Sequence, residues 1–301
     1  MRVAVIDVGT YSTRLTIADI KDKDFKILYE EGHITALGRG VKKTGLLSEE
    51  GIKDTLKVIE KYKKLCEEYG VQKCLVLGTE ALRIANNRDK FLKELQKLGL
   101  DIKIISPQEE GKYAYIGAFY AVKPQGKVCV IDQGGGSTEF IFGQGLDIEE
   151  VISLPMGIVN LTEGFIKHNP PTEEEIKNLL LYLDENIKPL VRPVDTLVGL
   201  GGTITTVAAL EYNIYPYDPS QINGLTLTKE QIKKWFEKLS RLTVEERKKI
   251  PQIEDKRAEA IVPGIAMFWR ILENFGKDEL IVSDWGVKQG ALISNFVLRE
   301  N

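Results

Sequence analysis

The strongest constraint on this chain is that it repeats itself. "VIDVGTYSTRL" runs from Val5 to Leu15 and "VIDQGGGSTEF" from Val130 to Phe140. Six residues recur at one constant offset: Val5 and Val130, Ile6 and Ile131, Asp7 and Asp132, Gly9 and Gly134, Ser12 and Ser137, Thr13 and Thr138. Repetition on this scale predicts two homologous halves, each opening with an apolar strand that ends in an Asp-Gly turn. Consecutive glycines let backbone N–H groups converge on an anion with no Cβ in the way, so such a turn suits phosphate. A tight β-hairpin would account for either stretch alone, but two unrelated hairpins do not readily supply six aligned identities. One position changes sign between the copies: Arg14 in the first, Glu139 in the second. If the halves share a cleft, one lobe offers a cation to phosphate oxygens and the other a ligand to a metal ion.

Length agrees with two domains, since 301 residues exceed what one core comfortably organises. A net charge of −3 argues against a broad basic surface, so no nucleic-acid partner is expected and a polyanion must be met by locally placed Arg and Lys. Three cysteines without Cys-x-x-Cys spacing, and two histidines, predict neither a disulfide framework nor a zinc site. The expected compartment is the reducing cytoplasm. A strand pattern begins almost at Met1 and no apolar run is long enough for a bilayer, so neither a signal peptide nor a membrane partner is expected.

Along the chain, "RVAVIDV", "RLTIADI" and "DFKILYEEGHIT" predict an antiparallel opening. Helical spacing follows from Ser48 to Gly70. "KCLVLGTEALRIANNRDKFLKELQ" reads as a strand that turns at Gly78 and Thr79 into a helix, and "DIKIIS" as another strand. In "SPQEEGKYAYIGAFYAV" Ser106 is the N-cap, Pro107 lies in the first turn and Glu109 holds the capping-box position. "KPQGK" at 123–127 reads as a linker between an N-terminal lobe, residues 1–121, and a C-terminal lobe, residues 122–301. Beyond it strands and helices alternate. Thr172 and Glu175 have capping-box spacing, and the helix of "AIVPGIAMFWRILENF" is expected to bend near Pro263. The class is α/β, with a mixed sheet in each half.

The two Asp-Gly turns, followed by "VGLGGTITTVAALE", resemble the actin, sugar kinase and heat-shock-protein superfamily. Within it, "IDVGTYSTRL", "LGTEALRIA", "SPQEEGKYAY", "VIDQGGGSTEF", "GLGGTITTVAA" and "SDWGVKQG" resemble the exopolyphosphatase and guanosine pentaphosphate phosphohydrolase family across essentially the whole chain. The resemblance implies two actin-like (ribonuclease H-like) lobes flanking a phosphate-binding cleft. It also implies Mg²⁺- or Mn²⁺-dependent release of terminal phosphate from polyphosphate or guanosine pentaphosphate, the latter leaving guanosine tetraphosphate, and a homodimer as in many relatives. The resemblance implies a further C-terminal helical region that grips extended polymer in longer members, and processive work on long polymers is not expected here. Where many relatives read R-E-G, Lys288, Gln289 and Gly290 stand here, so no guanidinium contact is expected at that point.

Roles follow from charge and position, because phosphoryl transfer asks a protein mainly to position groups and stabilise charge. Asp132 and Glu139 are the expected Mg²⁺ ligands, with Asp7 a third, acting through water; each Asp could also simply bond its own turn. Gly9, Gly134, Gly135, Gly136, Gly201 and Gly202 are expected to turn N–H groups toward phosphate, with Thr10, Ser12, Ser137 and the helix start at Thr203 adding donors. Arg14 and Arg83 are the expected phosphate-binding guanidiniums, and the resemblance implies Arg257 as a third. Lys256, Arg39, Lys42 and Lys43 read as solvated charges outside that set. Glu110 sits in the first turn beside the capping Glu109 and, by the resemblance, is the carboxylate that activates water; on position alone it could equally be an acid stabilising its helix. A small-molecule kinase or an actin-like ATPase of the same superfamily are the competing functions.

Overall fold

Val3, Ala4, Val5, Ile6 and Val8 are all buried, which places β1 (Arg2–Val8) in the middle of a sheet covered on both faces. The structure, a computed structural model, describes residues 1–298. β2 (Ser12–Lys21) pairs antiparallel with β1 and β3 (Asp24–Ile34) with β2. β4 (Lys73–Gly78) and β5 (Ile102–Ile104) add in parallel on the other side, giving the order β3-β2-β1-β4-β5. The second half repeats the plan. β6 (Lys127–Gln133), β7 (Thr138–Gln144), β8 (Asp147–Leu154), β9 (Thr196–Leu200) and β11 (Glu279–Val282) stand in the order β8-β7-β6-β9-β11, with β10 (Thr226–Thr228) added antiparallel at the edge. Strand directions match the first sheet pair for pair. Two ribonuclease H-like, actin-like mixed sheets are therefore present, as the repeat predicts.

The chain forms two compact units. The first comprises Met1–Gly117, Gly134–Gly136 and residues 286–298; the second comprises Ala118–Gln133 and Ser137–Trp285. A single cut after residue 121 does not describe them, because two later segments rejoin the first unit. The helix Val287–Leu292 packs on β1 and β2, and its Lys288 and Gln289 side chains both donate to Glu30 of β3, Gln289 at 2.6 Å. Gly290 comes so close to the Tyr113 carbonyl oxygen that a Cβ would lie 1.7 Å from it. Gly290→Ala should thus cost about 1–3 kcal/mol, as overpacking usually does, and lower the urea midpoint of the protein. An unchanged midpoint would contradict that close approach.

In the first unit Leu15, Ile17, Ile59, Tyr62, Phe91 and Leu95 fill the core between the sheet and the helices Glu49–Glu68 and Arg88–Lys97. In the second, Phe140, Leu183, Val207, Phe236 and Phe268 join the sheet to the helices Glu173–Ile187, Gly202–Glu211, Lys229–Ser240 and Ile261–Phe275. Both capping-box expectations hold: Glu109 N–H donates to Ser106 Oγ at 3.1 Å, and Thr172 and Glu175 cap each other reciprocally.

Two helix expectations change. The helix after β4 ends at Ile84 and a new one starts at Arg88. The break falls at two asparagines: Asn86 N–H donates to Gly45 O, and the Asn87 side chain accepts from Leu47 N and donates to Leu47 O, drawing the backbone out of helical geometry. Pro263 lies in the first turn of Ile261–Phe275, where a missing N–H removes no internal bond, and the helix runs on unbroken. Among the described residues no helix is long and apolar enough to cross a membrane.

Candidate active site

Antiparallel pairing gives the repeat a chemical meaning. Residues directly opposite on neighbouring strands share a face, and the position that changes sign is in each half the direct partner of the repeated Asp. Asp7 stands opposite Arg14 across β1 and β2; Asp132 stands opposite Glu139 across β6 and β7. The first half thus sets a carboxylate opposite a guanidinium, and the second sets one carboxylate opposite another.

In the first unit, Arg14 Nε donates to Ser12 Oγ at 3.2 Å, and its aliphatic stem crosses Gly32 of β3, where a Cβ would lie 3.3 Å from Arg14 Cγ. Gly9 differs from expectation. Its N–H donates to Ser12 O at 2.9 Å and closes the hairpin, so this donor is spent within the turn. Thr10 is buried and its Oγ1 accepts from Ala81 N–H at 3.1 Å. The Gly134–Gly136 segment lies against this turn: a Cβ on Gly135 would be 2.9 Å from Tyr11 N, and one on Gly136 would be 1.4 Å from Glu80 Oε2. Glu80, in the first turn of Glu80–Ile84, is a carboxylate that sequence reasoning passed over. Burial raises its carboxyl above the ordinary range, against the opposing charges of Arg83 and Lys42.

Glu110 lies in the first turn of the helix Pro107–Val122 and is 7% exposed. Its Oε2 accepts from Arg83 Nη1 at 2.7 Å, and the same nitrogen donates to Ile105 O at 2.8 Å. Arg83, expected at phosphate, is therefore joined to Glu110 and to the strand end before it. The neighbouring Glu109 instead faces outward to Lys103 Nζ at 2.6 Å. The two adjacent glutamates have separate surroundings, as helix geometry requires of consecutive residues.

In the second unit, Glu139 is 1% exposed and accepts from Ser153 Oγ at 2.7 Å, while Ser137 is buried at the start of β7. Gly201 has φ of +102°, a conformation only glycine adopts easily, and a Cβ there would lie 2.5 Å from Gln133 O. This geometry brings the start of Gly202–Glu211 to the carboxyl end of β9, with no side chain capping the helix. Arg257 completes the turn: it is buried, and a Cβ on Gly202 would be 2.2 Å from its Nη1. Thr203 is buried in the same first turn. Lys256 is exposed, which separates it from its neighbour. Lys42 and Lys43 lie within the short helical turn Val41–Thr44, and Arg39 precedes it.

The carboxylates suit a hard cation. Among the described residues no three His, Cys, Asp or Glu side chains form a ready metal cluster. Mg²⁺ does not need one, since it keeps several waters and takes one or two carboxylates together with substrate phosphate. The facing pair Asp132 and Glu139 fits that donor set. Asp7 Oδ1 is buried without a hydrogen-bond partner among the described residues, and burial pushes the Asp7 carboxyl up to about 6 despite the charges of Arg14 and Lys288. A carboxyl raised on folding contributes stability that is full below its ordinary pKa near 3.8 and is lost as pH rises through about 6. In chelator, the wild-type melting temperature should fall between pH 4 and pH 7 relative to Asp7→Asn. Parallel curves over that range would contradict this account of Asp7.

The Ppx/GppA phosphatase family matches residues 16–298. The chain belongs to that family. It is 32% identical to the bifunctional 3-dehydroquinate synthase/phosphatase of Fusobacterium nucleatum over 96% of this chain, and spans 46% of that protein. It is 29% identical to exopolyphosphatase 2 of Mycobacterium tuberculosis, covering 97% of this chain and 98% of that one. The crystal structure of the Aquifex aeolicus member of the family is 53% identical, with a TM-score of 0.85 and coverage of 98% and 97% of the two chains. In this Ppx/GppA chain Lys288 is bonded to Glu30.

Proposed function

We propose that this protein hydrolyses terminal phosphoanhydrides, releasing phosphate from inorganic polyphosphate or converting guanosine pentaphosphate to the tetraphosphate. The observation that carries the reading is the Arg83–Glu110 pair. A carboxylate almost wholly withdrawn from solvent is fixed in a first helical turn by a guanidinium at 2.7 Å, in the same unit as the Gly134–Gly136 turn. The Arg83 guanidinium holds Glu110 in a fixed orientation in the first turn of its helix. Glu110 then accepts a proton from the attacking water as its oxygen bonds to the terminal phosphorus; the bridging P–O bond breaks, and the shortened chain leaves with that oxygen.

Arg14, Thr10, Ser12, Gly134, Gly135 and Gly136 in the first unit, and Ser137, Gly201, Gly202, Thr203 and Arg257 in the second, bind phosphate oxygens. Gly9 shapes its turn instead of donating. Asp132 and Glu139 would hold Mg²⁺ or Mn²⁺, and the ion would neutralise phosphate charge. Arg83 serves Glu110 and not the substrate. The family supports this reading, as does the name exopolyphosphatase of a relative aligned along nearly its full length.

The test is phosphate release from polyphosphate, guanosine pentaphosphate and ATP in parallel, each with and without Mg²⁺. Release from the first two, dependent on the ion and well above release from ATP, is the expected result. Turnover of ATP alone would favour the actin-like ATPase, and turnover only with an added hydroxyl acceptor would favour a kinase.

A further inference from the structure

Arg247 is the one guanidinium of the second unit buried to 2% exposure, and no acid in the described residues pairs with it. It sits on the short helix Val244–Lys248, and its Nε donates to Leu239 O at 2.8 Å while Nη1 donates to Ala258 O at 2.9 Å. Its Nη2 has no hydrogen-bond partner among the described residues. Burial lowers its pKa to about 10, so the group is still charged at neutral pH. A buried cation costs several kcal/mol, and an apolar side chain of similar volume would ordinarily fill such a place at less expense. What only arginine supplies is a rigid fork of donors that can bind two carbonyls at once.

The two carbonyls indicate what the fork joins. Leu239 lies at the end of the helix Lys229–Ser240 and is packed in the core. Ala258 directly follows the one-turn helix Asp255–Arg257, and its N–H donates back into that turn, to Glu254 O. The last residue of the turn is Arg257, whose guanidinium rests on Gly202. A continuous set of contacts therefore runs from a core helix through Arg247 and Ala258 to Arg257 and the Gly201–Gly202 turn.

We infer that Arg247 is a positioning residue, which holds the Arg257 guanidinium over the glycine turn by fixing the carbonyl next to it. The inference rests on the reading of Arg257 as a phosphate ligand. Asp255 and Lys256 of this turn are exposed and leave that side of it little to resist motion, and misplacing a charged donor by a fraction of its bond length weakens its grip on an anion. Arg247 ties that turn to the core without touching phosphate.

A double-mutant cycle separates this role from a merely structural one, because groups acting through one another are not additive. The probe is inorganic tripolyphosphate in chelator, where no turnover is expected, with its Kd measured by calorimetry and thermal unfolding followed on the same samples. Arg257→Ala should weaken binding about tenfold to a hundredfold, the loss expected for a charged hydrogen bond. Arg247→Met should weaken it about tenfold, and the double variant should bind no worse than Arg257→Ala within about twofold. Arg247→Lys, which keeps the charge and a donor, should fall between wild type and Arg247→Met, and it carries the same comparison if the methionine variant does not fold.

Lower melting with unchanged Kd in the Arg247 variants would overturn the inference, as would losses that multiply in the double variant. If Arg257→Ala alone leaves Kd unchanged, or the wild type does not bind tripolyphosphate, the phosphate reading itself fails and the positioning role falls with it. Those results are distinct from the first two.

Discussion

Glu110→Gln should lower the turnover of polyphosphate by about two to four orders of magnitude, the usual cost of losing a general base. Glutamine keeps the size of the side chain and an acceptor for Arg83 Nη1, but it cannot take a proton from water. Substrate affinity should be unchanged or tighter, since a carboxylate beside phosphate oxygens repels them before reaction. A purely structural Glu110 gives another pattern: stability is lost and activity is retained. The glutamine also leaves Arg83 without its counter-charge in a partly buried setting, where an ion pair cannot lose one member cheaply. Single-turnover hydrolysis and thermal unfolding on one preparation distinguish these outcomes. An active variant that melts earlier would remove Glu110 from the chemistry.

Glu139→Gln and Arg14→Ala should fail in different ways, although the two residues occupy the same position of the repeat. Glu139 faces Asp132, so neutralising it weakens a pair of oxygen ligands, and the Mg²⁺ concentration for half-maximal activity should rise at least about tenfold. Saturating Mg²⁺ should recover much of the activity. Arg14 faces Asp7 and bonds Ser12, and its loss should raise KM by about tenfold to a hundredfold with little change in the Mg²⁺ requirement. Steady-state kinetics over a matrix of substrate and Mg²⁺ concentrations reads both. Identical defects at every Mg²⁺ concentration would end this division of labour.

What the sequence disclosed follows from what a repeat can encode. Two copies of one strand-turn-strand pattern fix strand direction and register, so the facing of Asp7 with Arg14 and of Asp132 with Glu139 was available from spacing once the hairpins were recognised. The separation of Glu109 from Glu110 was legible for the same local reason, because capping-box geometry claims one residue and turns the next away. Contacts between distant segments were not legible. Arg83 and Glu110 meet because β4 and β5 are parallel neighbours that each lead into a helix, and no local pattern announces that pairing. The closeness of Glu80 to Gly136 and the return of residues 286–298 to the first unit have the same origin. Arg247 carried no signal at all, since in "VEERKK" it reads as a solvated charge, and only burial sets it apart. The break at Asn86 and Asn87 belongs with the contacts between distant segments, because their bonds reach Gly45 and Leu47 in a distant segment.

On the proposed function, the terminal phosphoryl group passes to water. Hydrolysis of polyphosphate in ¹⁸O-labelled water, with the products weighed by mass spectrometry, tests it most directly. The account predicts one solvent oxygen in each released orthophosphate and none in the shortened chain, with Glu110→Gln slowing the rate at which label appears. Label in the chain end, or orthophosphate released without solvent oxygen, would contradict it.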